Sequence, residues 1–295
     1  MTIVPPAPGE PRRPHGPRDP GDAWVVDADG TRYWGRFGAA GLLALDPVRG
    51  VLLQHRVAWS HHGDTWALPG GARHQGESAC DGALRESEEE AGVPASAVAP
   101  RLISVFDIGV WTYSTVVADV IVPFEPVISD PESRELAWVP VDQVERYPLH
   151  PGFAASWQAL RALLPVRPAI VVDAANVVGS VPDGWWKDRA GAAGRLLDAL
   201  AALAVRGVDA GALGLPEHTW FPEVTVVLEG EARAAADRGG VRVLRADGHG
   251  DDAIVASVDE LRRAGRTVTV VTSDRGLADR VGGGVRPVSW LRGLL

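Results

Sequence analysis

Residues 71–93 read Gly71-Ala-Arg-His-Gln-Gly-Glu77-Ser78-Ala-Cys80-Asp81-Gly-Ala-Leu84-Arg85-Glu86-Ser87-Glu88-Glu89-Glu90-Ala91-Gly92-Val93. Ser78 stands where a helix N-cap belongs, and Asp81 three residues on completes a start like a capping box. Gly92 is placed to end the helix. At about 100° per residue, Glu86, Glu89 and Glu90 fall within one sector roughly 100° wide, while Glu88 points to the far side. Cys80, Leu84, Ser87 and Ala91 make a separate small-to-apolar stripe, the face that would pack on a sheet. Three carboxylates on one face repel one another, and Arg85 is a single cation against them. Hard divalent cations held through carboxylate oxygens, such as Mg²⁺ bridging to substrate phosphates, would relieve that repulsion. A solvated acidic helix face is the commoner alternative, and spacing alone favours it.

The same stretch resembles the Nudix box, Gly-x5-Glu-x7-Arg-Glu-U-x-Glu-Glu-x-Gly-U with U apolar, from Gly71 to Val93. Every defined position agrees except Ser87, which stands where the family has an apolar residue. Ser87 lies on the packing stripe, where its hydroxyl can bond back to the Ala83 carbonyl, so the departure reads as a packing change. The preceding Trp66-Ala-Leu-Pro-Gly70-Gly71 is similar to the family's lead-in. The resemblance implies an α/β/α sandwich with a mixed sheet. It also implies hydrolysis of a nucleoside diphosphate linked to another group, with water attacking phosphorus and Mg²⁺ or Mn²⁺ as cofactor. Carried over position by position, Glu86, Glu89 and Glu90 would hold the metal, with the Gly70 carbonyl as a further ligand. Glu89, Glu86, Arg85 and Glu77 form the implied catalytic set, Glu77 and Arg85 acting as organisers. Glu132 and Glu135 are weaker candidates for deprotonating water, exposed loop acids being the alternative. Trp59, Trp66, Trp111 and Trp138 are candidates for stacking a base, with a place in the core as the alternative, and Trp66 is the one carried forward. His61 and His62 read as loop residues near the mouth of the site.

The chain has 295 residues, about two domains' worth on the usual ~100–200 residues per domain. Apolar residues make up 46% and charged residues 23%, ordinary for a globular protein. The net charge of −9 excludes a whole-chain basic field for gripping nucleic acid, leaving a local patch open. Cys80 is the only cysteine, which excludes an internal disulfide and a Cys-based zinc site. No apolar run approaches the ~18–20 residues a bilayer span needs, and no secretory h-region precedes the first domain. The expected location is the cytoplasm. Residues 1–22, with seven prolines, read as a structureless arm. A first domain over 23–164 is predicted to have strands at 23–26, 41–45, 50–54, 102–106, 115–123 and 136–139. Its helices are expected at 78–91 and 151–164, and a loop at 63–71. Pro165 and Pro168 bracket a linker.

From residue 169 the rhythm alternates strand and helix: strands at 169–172, 224–228, 241–244, 267–271 and 285–288, helices at 189–204, 231–238, 251–264 and 277–281. That alternation, with an opening run apolar on every residue, argues for a Rossmann-like parallel sheet. Acids follow the strands: Asp173, Glu229 and Asp274, with Asp251 and Asp252 opening a helix. The carboxyl ends of parallel strands converge on one crevice, so these acids could meet around a metal; each taken singly is also an ordinary helix cap or turn residue. Val171-Val172-Asp173-Ala-Ala-Asn176, Gly250-Asp251-Asp252 and Val271-Thr-Ser-Asp274 resemble the PIN-like NYN nucleases, a likeness that covers most of 168–290. It implies that Asp173, Asp251, Asp252 and Asp274 hold Mg²⁺ or Mn²⁺, with Asn176 as a polar helper and Glu229 less firmly placed. Trp185-Trp186-Lys187, containing the chain's single lysine, reads as a base-stacking patch or as a hydrophobic flap.

The expected activity is metal-dependent pyrophosphohydrolysis of a nucleoside diphosphate-linked small molecule. RNA at the second domain and a second copy of the chain are the further candidate partners; a membrane is not. The rivals are a nucleotide or RNA sensor whose second domain is inactive, and an enzyme that clears damaged nucleoside triphosphates.

Overall fold

Strand β4 (Ala39–Asp46) is apolar on nearly every residue and buried on both faces, as a central strand must be. It runs parallel to β9 (Thr112–Val120) and is flanked on its other edge by β5 (Gly50–Arg56). β10 (Ser133–Val139) pairs antiparallel with β5, and β8 (Val98–Asp107) with β9, giving the order β10-β5-β4-β9-β8. Two short strands, β6 (Trp66–Ala67) and β7 (Gly70–Ala72), attach antiparallel to β5 and β4. Helix α1 (Ala79–Ala91) lays Ala83 and Ala91 against Ala40, Leu42, Ala44, Val116 and Ala118. Helix α2 (Pro151–Leu163) buries Phe153, Trp157, Leu160 and Leu163, a stripe at i, i+4, i+7 and i+10. A small antiparallel sheet, β1 (Thr2–Val4), β2 (Trp24–Val26) and β3 (Arg32–Trp34), completes this half. Burying each of the fully enclosed leucines Leu42, Leu43, Leu52 and Leu53 contributes up to about 1.5–3 kcal/mol.

The second half is an all-parallel sheet of order β15-β14-β11-β16-β17. Its strands are β11 (Pro168–Asp173), β14 (Glu223–Leu228), β15 (Val241–Arg245), β16 (Thr267–Val271) and β17 (Val285–Arg286). Ile170 and Val172 face α4 (Arg189–Arg206) through Leu196, Leu197, Leu200 and Leu203. Ala169 and Val171 face α6 (Gly250–Arg263) through Ile254, Val258 and Leu261. A hairpin of β12 (Val208–Asp209) and β13 (Thr219–Trp220) brackets α5 (Ala210–Leu213). Short helices α3 (Ala174–Gly179), α7 (Arg275–Val281) and α8 (Val288–Leu294) complete it. Strand order reverses between β11 and β16, the usual place for a crevice at the carboxyl ends. The computed structural model describes residues 1–7, 19–182 and 184–295, and the chain divides into compact units at Met1–Leu164 and Pro165–Leu295. Among the described residues no helix is long and apolar enough to cross a membrane.

Five expectations need correction. The arm predicted over 1–22 is structured at its start, because Ile3 and Val4 find a paired edge opposite Val25 and Trp24; its stretch 8–18 lies outside the described residues. The loop predicted over 63–71 contains β6 and the first half of β7. Gly70 serves close approach there: a Cβ on it would come within 2.5 Å of the Ala40 carbonyl oxygen. The helix predicted over 231–238 is a 3₁₀ turn at Gly230–Ala234. There Arg245 reaches across to take the Arg233 and Ala235 carbonyls at 3.0 and 2.8 Å, so they are not free to continue a helix. The strand predicted over 285–288 stops at Arg286, where Pro287 starts α8 and Val288 and Leu291 bury into the core. Finally, Ser87 is fully buried, but its hydroxyl donates to the Leu84 carbonyl at 2.9 Å, one residue nearer than Ala83.

Candidate functional site

Helix α1 is fixed at both ends. The Ser78 hydroxyl accepts the Asp81 amide at 3.1 Å, and Gly92, with φ 62°, turns its amide back to the Glu88 carbonyl. Between those ends the helix presents its acids. Glu86 and Glu90 are buried, while the Glu89 side chain keeps 52% of its surface. Glu88 is exposed on the far side.

Arg85 is the hub. Its Nε and Nη2 hold both carboxylate oxygens of Glu77, at 2.8 and 3.0 Å, in a fork. Nη1 donates to Glu86 at 2.7 Å and reaches Glu89 at 3.4 Å. Nη2 also caps the Ala72 carbonyl at 3.0 Å, tying the helix to β7. Burial works against the charged guanidinium, but its bonds to Glu77 and Glu86 prevail and keep it firmly protonated. Burial likewise pushes Glu77 up, yet Arg85 and the His74 amide outweigh it and hold this carboxyl below its ordinary range.

Glu90 is the opposite case. Burial and the neighbouring Glu86 raise its carboxyl well above the usual range; Arg56 and a 2.9 Å bond from the Gly70 amide pull the other way without prevailing. Glu86 rests against Gly71, where a Cβ would stand 2.6 Å from Oε2. The strand is therefore cut to the carboxylate. Three carboxylates, two of them buried, with Arg85 bound to Glu86 and Glu89 and with Arg56 beyond, make the donor chemistry of a hard divalent ion. The residues present fit such an ion.

These acids line a cavity of 1540 Å³ in the first unit. Gly70, Gly71, Arg56 and Glu132 line it too, and Arg56 faces Glu132 at 3.9 Å. Glu135 sits opposite His55 in the β10–β5 pair and is not part of the lining. Trp59 and Trp111 are on the wall, Trp111 stacked on Tyr33 at 5.0 Å. Trp66 is not: it is buried, stacked on His55 at 4.8 Å and edge-on to Tyr147, so it is a packing residue. Trp138 packs under Arg49 and against Phe124. Sequence reasoning missed Trp24, Trp34, Arg56, Tyr113 and His150 on this wall. Only Trp24 and Trp34 carried a signal, as aromatics in strand-like runs. Among the described residues, the one set of three side chains whose ligand atoms all lie within 4.8 Å of each other is His61, His62 and His150, not the glutamates.

In the second unit a smaller cavity of 250 Å³ opens at the carboxyl ends of the strands. Asp173, Asn176, Glu229, Asp251 and Asp274 line it. Asp173 accepts from the Thr272 hydroxyl at 2.9 Å and from the Asn176 amide at 3.0 Å. The Asn176 side chain in turn accepts the Ser273 amide at 2.9 Å. Burial raises the Asp173 carboxyl, and Asp251 and Glu229 add to the rise against those two bonds. Glu229 accepts the Gly250 amide at 2.7 Å. Asp252 lies outside the lining and pairs with Arg280. Trp186 is 56% exposed beside Trp185, over which Arg189 stacks.

On α1, carboxylates held by one arginine stand beside a glycine strand at the wall of a large cavity, in a donor set of the kind that suits a hard divalent ion. The chain belongs to the Nudix family, whose NUDIX domain profile matches residues 35–163. It is 51% identical over 154 residues to a Mycobacterium tuberculosis protein named "Putative 8-oxo-dGTP diphosphatase 3", covering 49% of this chain and 70% of that one. It is 42% identical over 163 residues to a "Nucleoside triphosphate pyrophosphatase/Nudix hydrolase fusion protein" of Bifidobacterium longum, covering 49% of this chain and 32% of that protein. Among solved structures, the Nudix hydrolase RenU of M. smegmatis is 51% identical, covering 48% of this chain and 94% of that one, with a TM-score of 0.46.

Proposed function

We propose that the first unit is a divalent-metal pyrophosphohydrolase acting on a nucleoside diphosphate-linked substrate. The observation that carries this reading is the Arg85 fork, which holds Glu77 and Glu86 in place beside Glu89 and Glu90 at the cavity wall. Glu86, Glu89 and Glu90, with the Gly70 carbonyl, would hold Mg²⁺ or Mn²⁺, which when bound neutralises the diphosphate and acidifies a water. Arg85 keeps Glu86 from swinging away and shares its charge. Glu77 stays ionised and anchors the guanidinium. Glu132, on the same wall, is the acid best placed to take a proton from the attacking water. Tyr33, Trp34 and Trp111 offer flat apolar faces for a base.

The name of the 51% identical mycobacterial relative favours a second reading of the same site, the clearance of oxidised nucleoside triphosphates. One experiment addresses both. The full chain is given 8-oxo-dGTP, dGTP, sugar diphosphates, dinucleotides and capped RNA with Mg²⁺ or Mn²⁺, and products are identified. Release of a nucleoside monophosphate or of phosphate products is expected only with the metal, and should fall on the order of 10²–10³-fold in Glu89→Gln. Turnover untouched by chelation and by that substitution would refute the reading. Preference for 8-oxo-dGTP over dGTP would select the clearance role.

For the second unit we propose a metal-dependent RNA-cleaving site of the PIN/NYN kind. It is supported by the meeting of Asp173, Glu229, Asp251 and Asp274 with Asn176 in one crevice.

A further inference from the structure

We propose that His61, His62 and His150 form a second metal site in the first unit, for a borderline divalent ion such as Zn²⁺, apart from the glutamates on α1. One nitrogen from each ring lies within 4.8 Å of the others. The ring centroids of His61 and His62 are 4.2 Å apart, and those of His62 and His150 are 4.8 Å apart. Zn–N bonds of about 2.0–2.1 Å put tetrahedral nitrogens roughly 3.4 Å from one another. Side-chain rotation alone can close that difference. Imidazole suits zinc, cobalt and nickel, whereas the α1 carboxylates suit Mg²⁺ and Mn²⁺, so the two sites sort ions by donor type.

The three rings do not meet by accident of a loose loop. After Arg56 the chain makes a series of tight turns: the Ser60 amide bonds to Val57, the Gly63 amide to Ser60 and the Asp64 amide to Arg56. A Cβ at Gly63 would stand 2.4 Å from the Ala58 carbonyl oxygen, so the turn closes only with glycine there. His62 takes a left-handed φ of 53°, a conformation uncommon outside glycine and fixed here by the surrounding turns. The returning strand is stitched on by backbone bonds, Trp66 amide to Pro148 carbonyl and His150 amide to Trp66 carbonyl, both 2.8 Å. Those two bonds carry His150 to the pair. All three rings line the large cavity, so a coordination position left open would face its interior.

Burial, then His62 and Arg56, push His150 down to about 4, and burial with His62 and Arg56 lowers His61. One feature resists the ion: Nδ1 of His150 accepts the Gly152 amide at 3.1 Å and caps α2. Ligation through either nitrogen of His150 gives up that capping bond, so metal uptake and the cap are alternatives.

The test is a titration of the full chain with Co²⁺ in excess Mg²⁺, read by the visible d–d absorption of tetrahedral cobalt. One strongly absorbing ion per chain is expected, displaced by one equivalent of Zn²⁺. The band should persist in Glu89→Gln and be lost in His61→Gln and in His62→Asn, the latter chosen because asparagine tolerates a positive φ. Metal-free melting temperatures check that the variants fold, and His61→Gln, at an unstrained position, decides the matter if His62→Asn does not fold. Absence of the band, or its survival in His61→Gln, would overturn the proposal. Because the readout is a spectrum and not turnover, failure here leaves the hydrolase reading standing, and failure of that reading leaves this site untouched.

Discussion

Arg85 makes five contacts with a single guanidinium: two fix it to Glu77, one ties it to the Ala72 carbonyl, and two reach the proposed metal ligands Glu86 and Glu89. Glu86 depends on the residue that is missing a side chain as much as on the one that holds it. Gly71→Ala would place a methyl 2.6 Å from Glu86 Oε2 without demanding any unusual backbone angle. The expected result is a kcat lowered about 100-fold, the scale of an ångström's misplacement, with little change in melting temperature. A variant with full kcat would show that Glu86 need not stay where it is. Glu90 supplies a pH prediction for the metal-free protein. Its folded-state carboxyl titrates well above the ordinary range, through burial first and Glu86 second. Between those two values the folded chain holds a proton that the unfolded chain has lost. Stability from this group is therefore complete at low pH and declines as pH rises toward the folded value. In a chelator, the melting temperature of the first unit should fall as pH is raised from 5 to 8, and Glu90→Gln should flatten the slope and melt higher at pH 8. Parallel curves for the two proteins would show that Glu90 is ionised at no cost.

At the scale of elements, α1 is decided by its ends. Gly92 takes φ 62° and returns amides from its own position and from Val93 to Glu88 and Ser87, at 3.0 and 3.2 Å. Gly92→Ala should cost about 1–2 kcal/mol, the penalty for a Cβ in the left-handed region, seen as a lower melting temperature with metal-site chemistry intact. An unchanged melting temperature would mean that the helix end relaxes freely. This helix was readable in the sequence because its signals are local: a cap, a stop and charges spaced along one face. The apolar strands β4, β11 and β14 were readable for the same reason, since burial on both faces writes itself into every residue. What the sequence hid was decided at a distance. Gly70 reads as loop until the Ala40 backbone is beside it. The run 231–238 reads as helix until Arg245 claims two of its carbonyls. His150 lies nearly ninety residues beyond the adjacent His61 and His62, and the pairing of the Trp66 segment with Leu149 brings it to them. Trp66 itself had the composition of a base-stacking residue and the location of a packing one. Asp252, adjacent to the cavity-lining Asp251, stays outside the lining and pairs with Arg280 on α7, which also reaches Asp251 at 3.7 Å.

The whole molecule carries two acid sites on two sheets of different construction, and charge separates them as well. Residues 1–165 hold 21 acidic and 13 basic side chains, a net of −8, whereas residues 166–295 hold 17 and 16, a net of −1. The second unit gathers four carboxylates in one cavity and still comes close to neutral, because its basic side chains nearly match its acids; Arg233, Arg238, Arg242 and Arg245 pair with acids away from that cavity. The first unit has the reverse problem, a strongly acidic body around the proposed site, where Arg56 lines the cavity and a divalent ion, when held there, would offset the carboxylates. Each site has its own core and its own carboxylates, so the two should fail separately. Asp173→Ala removes the acceptor for Thr272 and for the Asn176 amide, and is expected to abolish RNA cleavage in Mn²⁺ while leaving nucleotide hydrolysis within about twofold, the scatter expected of independent sites. Glu89→Gln should do the converse. Loss of both activities from either single change would mean one shared site and would defeat the two-site reading. RNA left intact by the unmodified chain, with nucleotide hydrolysis intact, would confine catalysis to the first unit and make the second cavity a binding site.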